Sequence, residues 1–119
     1  MWILKLIGSK TEQEIRNQLI ISRKSLFEED GNIRLVDALK KEFSELKSAY
    51  ILQWIPEQVE DFYKVLINES LVINIELSRD QDSVPIIIKM LVSEYKKGLS
   101  KINQIKLQVA LDLVKKDLN

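Results

Sequence analysis

From Leu71 to Leu77 the chain places Leu71, Ile73, Ile75 and Leu77 at odd positions and Val72, Asn74 and Glu76 at even ones. A period of two sends odd and even side chains to opposite sides of an extended backbone. This segment therefore reads as a strand with one buried face and one face only partly buried. A strand needs partners, and two flanking segments supply them. Ala49 to Ile55 and Asp61 to Ile67 are rich in Tyr, Trp, Ile and Val, the residues that suit a pleated, half-buried surface. Asn68, Glu69 and Ser70 leave only a hairpin-length link between the second and third segments. The expectation is a three-stranded antiparallel meander. Residues 57–67 also admit a helix, because Val59, Phe62 and Leu66 stand at helical spacing.

The chain before residue 49 has a different texture. Thr11 and Glu14 form a capping-box pair, after which Ile15, Leu19 and Leu26 recur at helical spacing and Gly31 and Asn32 mark a stop. Leu35, Leu39, Phe43 and Leu46 repeat the pattern, which predicts a second helix packed on the first as a hairpin. After the strands, Ser83 before Pro85 suits a helix start, with Ile86, Ile87, Met90, Leu91 and Tyr95 covering a wide arc. Gly98 breaks that helix, and a last one runs from about Ser100 through Ile102, Ile105, Val109 and Leu113. The predicted fold class is α+β: two N-terminal helices, a three-stranded antiparallel sheet and two C-terminal helices, in one domain spanning 1–119.

Composition narrows the chemistry. The 119 residues include no Cys and no His, which removes thiol nucleophiles, thiolate metal sites, the commonest general base and the commonest metal ligand. No glycine-rich phosphate loop, nucleophile elbow or metal-ligand spacing is present. Glu57, Glu60 and Asp61 come nearest to a catalytic carboxylate group, and a solvated loop accounts for them. Neither catalysis nor a metal or other cofactor is expected. The apolar start, Met1 to Ile7, is broken by Lys5 and stops at Gly8, shorter than a secretory core followed by a cleavage site. No run approaches the ~20 apolar residues of a membrane span, so a cytoplasmic protein is expected.

Eighteen basic and eighteen acidic side chains cancel, but they are distributed unevenly. Residues 57–82 carry seven acids against Lys64 and Arg79, whereas residues 84–119 carry seven lysines against Glu94, Asp112 and Asp117. Direct nucleic-acid binding is not expected of a domain without a net basic charge and with no Arg after Arg79. An acidic surface steers a basic partner instead. The candidate contacts are Glu57, Glu60, Asp61, Glu69, Glu76, Asp80 and Asp82, with Trp54 as an aromatic anchor. On a strand, Tyr50, Leu52 and Trp54 share one face and Ile51, Gln53 and Ile55 the other.

The stretch Ser48 to Arg79, SAYILQWIPEQVEDFYKVLINESLVINIELSR, resembles the sheet region of small bacterial immunity proteins of the contact-dependent growth inhibition type. Chain length and helix–sheet–helix layout agree with that resemblance. It implies a cytoplasmic protein that binds the toxin domain of its own strain, often a nuclease, and blocks its active or substrate-binding surface. An alternative reading is a structural or adaptor subunit that assembles through Trp2, Ile3, Leu4 and Leu6 and through its helical faces.

Overall fold

Three strands form where the sequence places them, and a fourth joins them. The computed structural model describes residues 10–27, 33–80 and 83–118, so the Trp2 to Leu6 segment and Asp82 lie outside the described residues. In chain order the elements are α1 (Lys10–Phe27), α2 (Ile33–Glu42), β1 (Ala49–Pro56), β2 (Glu60–Ile67), β3 (Leu71–Ser78), β4 (Ile86–Leu91), α3 (Val92–Tyr95) and α4 (Lys101–Leu118). The α+β class holds, with a four-stranded antiparallel sheet in the order β1-β2-β3-β4. Residues 60–67 are strand, which disposes of the helical alternative for that stretch.

The fourth strand replaces most of the helix expected after Ser83. Ile86, Ile87 and Ile88 are three consecutive β-branched residues, stiff at χ1 and better suited to a pleated surface than to a helix. They pair with Glu76, Ile75 and Asn74 of β3. Ser83 is part of a turn, its amide donating to the Asp80 carbonyl at 3.1 Å, and helical structure begins only at Val92. Gly98 takes the left-handed conformation at φ 75° between α3 and α4, as a chain reversal there requires. Ser100 caps α4, its hydroxyl accepting from the Asn103 amide at 3.3 Å. Thr11 sits one residue inside α1, which already includes Lys10.

The sheet carries a core on each side. On one side Tyr50, Leu52, Leu66 and Val72 meet Ile15 and Leu19 of α1, Tyr95 of α3, and Ile105, Val109 and Leu113 of α4. On the other, Ala49, Val65, Ile67, Ile73 and Ile75 meet Leu35 and Leu39 of α2, with Leu26 from the end of α1. The first two helices therefore do not form the predicted hairpin. They cover opposite faces of the sheet, a choice that helical periodicity cannot encode because it specifies an apolar stripe but not its partner.

A bulge in β1 is the local feature with the largest consequence. Ile51 faces Val65 and Gln53 faces Lys64, so Leu52 is the extra residue. Leu52 and Gln53 thus lie on the same side, and every later residue is inverted relative to simple alternation. Trp54 faces Tyr63 on the α2 side, their rings stacked at 6.2 Å and 6°, rather than sharing a face with Tyr50 and Leu52. The bulge is held from α4, whose Lys106 ammonium donates to the Leu52 carbonyl at 3.0 Å.

Candidate functional site

On the side covered by α1 and α4, the register builds three transverse rows of side chains. The first is Tyr50, Leu66, Val72 and Met90; the second is Gln53, Lys64, Asn74 and Ile88; the third is Ile55, Phe62, Glu76 and Ile86. Only the first lies under the helices. At the boundary, the Lys64 ammonium lies 5.6 Å from the centre of the Tyr95 ring, a cation–π contact, and burial raises the Tyr95 phenol above its ordinary pKa. Beyond it the second and third rows line an open cavity of about 220 Å³, bounded by Gln53, Ile55, Phe62, Lys64, Asn74, Glu76 and Ile88.

The chemistry of this open half is mixed, with apolar side chains at its margins and polar ones between. Ile55, Ile86 and Ile88 are about half exposed, a concentration of large apolar groups that a solvated surface does not need. Glu76 makes no ion pair among the described residues, while Asp61 accepts from Arg79 Nη2 at 3.2 Å and from the Trp54 indole N–H at 3.4 Å. The loop after β1 is closed by the Glu57 amide donating to the Glu60 carbonyl at 2.9 Å, and the Arg79 amide joins it to the end of β3 through the Val59 carbonyl at 2.8 Å. Two loops are thereby fixed beside the third row.

The structure brings Glu57, Glu60, Asp61, Glu76 and Asp80 to this end of the sheet. With them are Lys64, Arg79 and Arg34, whose guanidinium donates to the Ser78 carbonyl, so the five carboxylates stand among three cations. Trp54, 59% exposed, reaches the same end from the α2 side. Glu69 does not belong to the group, because it occupies the β2–β3 hairpin loop at the opposite end of the strands. That loop is structural: Asn68 adopts φ 49°, and its side-chain oxygen accepts from the amides of Lys47 at 3.2 Å and Ser48 at 3.0 Å. Asp82 falls outside the described residues. The apolar members Ile55, Phe62, Ile86 and Ile88 escape a reading based on charge, and their one sequence signal is that Asn74 and Glu76 share the partly buried face of β3.

A second polar cluster lies at the far end, under the helices. Asp117 Oδ2 accepts from the Tyr50 hydroxyl at 2.5 Å, the Ser48 hydroxyl at 2.8 Å and Arg23 Nε at 3.2 Å. Burial raises the Tyr50 pKa, and the hydrogen bond to Asp117 adds to the rise. The cluster is filled by its own members and ties α1, β1 and α4 together. Among the described residues no group of three His, Cys, Asp or Glu is placed to hold a metal ion, and no helix is long and apolar enough to cross a membrane. Searches against protein-family models, curated proteins and solved structures give no match.

Proposed function

We propose that this chain is a non-catalytic binding protein, an immunity protein of the bacterial cytoplasm that neutralises a basic toxin domain, most simply a nuclease, by covering its active or substrate-binding surface. The observation that carries the reading is the open half of the sheet: two rows left bare by the helices, with exposed Ile55, Ile86 and Ile88 around Glu76 and with Glu57, Glu60 and Asp80 at the adjoining loops. Apolar side chains supply the desolvated centre of a protein interface. Carboxylates around them speed the encounter with a cationic cleft and discourage other partners. Trp54 has the size and the polar tip of an interface anchor, and the rigid sheet beneath limits the ordering cost of association.

The experiment is co-expression with the carboxy-terminal domain of any toxin found to be encoded in the gene adjacent to this one. Growth should be restored and the two proteins should co-purify as a stable complex. The combined variant F62A/E76K/I88A should fold normally and lose protection. Growth arrest that the intact chain does not relieve would refute the immunity reading. Protection undiminished in the triple variant would move the interface elsewhere.

A further inference from the structure

The outer edge of β4 has a pairing pattern that can be read from a single hydrogen bond. The Val92 amide donates to the Ser70 carbonyl at 2.9 Å, continuing the register in which Leu91 faces Leu71. Antiparallel ladders alternate bonded and non-bonded pairs. Counting back, Met90, Ile88 and Ile86 direct their backbone groups to β3, whereas Leu91, Lys89 and Ile87 direct theirs outward. Among the described residues no strand lies beyond β4. Four side chains are exposed there, the apolar Ile86 at 54%, Ile88 at 55% and Leu91 at 51%, and Lys89, whose ammonium is engaged by Glu42. Such an edge is a template for another strand.

From this pattern the geometry points to a second copy of this chain as the occupant, with the two β4 strands antiparallel about a two-fold axis through Ile88. Symmetry about Ile88 pairs Ile87 with Lys89 of the second copy through both of their outward backbone groups, and it does so twice. On the open side it sets Ile88 against Ile88 and Ile86 against Met90, an apolar row that is its own complement, as a two-fold interface requires. In this register Pro85, which has no N–H, falls opposite Leu91 at the two ends of the seam, whereas centring on Ile87 would bring it inward against Lys89 and leave the Lys89 carbonyl without a donor. Centring on Lys89 would put two ammonium groups directly opposite each other. Charge complementarity also favours the Ile88 register: each Lys89 binds its own Glu42 at 2.6 Å, and the pairing brings these two ion pairs side by side as a neutral quartet across the seam.

The absence of native Cys allows a clean test. In the proposed register the two Ile88 Cα atoms stand about 4.5 Å apart, within the span of a disulfide, and the two Val84 Cα atoms about 27 Å apart, from eight residues at about 3.4 Å each. I88C should link into a disulfide dimer under mild oxidation, and V84C, although Val84 is 84% exposed, should not. Sedimentation of the wild type should give twice the 13.9 kDa chain mass. K89P, which removes an outward N–H that β3 does not use, and I88K should each give the single-chain mass with an unchanged circular dichroism spectrum. A wild type that stays at the single-chain mass would overturn the proposal, and protection of the Ile87, Lys89 and Leu91 amides in that monomer would show that the edge is covered from within the chain. Cross-linking of V84C as readily as I88C would overturn the register.

Discussion

One face of one sheet serves two purposes, and its halves differ in a way that separates stability from recognition. In the covered half, Tyr50, Leu66 and Val72 are almost wholly removed from solvent beneath α1 and α4. In the open half, two rows further along the same strands, Phe62 and Glu76 are half-buried and Ile55 and Ile86 exposed. Backbone pairing is continuous across both, so the difference lies in what the helices cover. Substitutions should report it directly. Leu66→Ala removes a fully buried side chain and leaves a cavity, and should lower unfolding free energy by about 3 kcal/mol. Ile88→Ala should cost the single chain less than about 1 kcal/mol, since much of the side chain is already hydrated there. Urea denaturation of both variants measures the contrast, and equal losses would mean that the open half is as much core as the covered one.

Polar groups divide along the same line. Asp117 is held by three donors under the helices, whereas Glu76 in the open half has no ion pair among the described residues. Asp117→Ala removes the shared acceptor of the Tyr50 and Ser48 hydroxyls and one contact of Arg23, a cost of about 2 kcal/mol for the lost hydrogen bonds. Double variants with Tyr50→Phe should lose less than the sum of the single losses, because the two groups share one hydrogen bond. Additive losses in the double-mutant cycle would mean that the cluster does not act as a unit.

How much of this was readable beforehand follows from where the information resides. The β2 and β3 boundaries were within a residue of those observed, because Leu71 to Leu77 states its period openly and the Asn68 turn fixes its neighbour. β4 was missed because Ile86, Ile87, Met90 and Leu91 fit both a wide helical stripe and a strand; a pairing decision by Asn74 and Glu76, distant in sequence, settled it. The face of Trp54 was missed because one extra residue at Leu52 inverts the alternation, and nothing local distinguishes a bulged Leu from a paired one. Charge alone groups the acidic candidates and cannot sort them by place in the fold. Hairpin connectivity sends Glu69 to the opposite end from Glu57 and Glu60, and only the folded registers reveal that.

Alkaline titration provides a finer probe of the covered half. Burial and the Asp117 bond hold the Tyr50 phenol protonated above its ordinary pKa. The stability it contributes is complete below pH ~10, where the unfolded-state phenol titrates, and is lost as pH rises toward the folded pKa, since only the unfolded chain gives up the proton. The slope is about −1.4 kcal/mol per pH unit for each such phenol. Buried Tyr95 shifts in the same direction, so Tyr50→Phe should make the slope between pH 10 and 12 shallower without abolishing it. An unchanged slope in that variant would place the proton release elsewhere.

The smallest effects compare one carboxylate paired across two helices with one left facing the open cavity. Arg16 bonds Asp112 at 3.0 Å and holds its carboxyl below the usual range, while Glu12 secures the guanidinium from within α1 at 2.8 Å. A depressed carboxyl contributes stability above its unfolded pKa near 3.9 and loses it as pH falls through the folded value. Because Asp112 is half exposed, Asp112→Asn should cost only a few tenths of a kcal/mol, and the loss should vanish at low pH. Glu76→Gln should be neutral within about 0.5 kcal/mol, because it breaks no ion pair among the described residues. If Glu76→Gln instead destabilises the fold more than Asp112→Asn, that carboxylate supports the sheet and is not held available for a partner, and the division between the covered and open halves fails at its central polar residue.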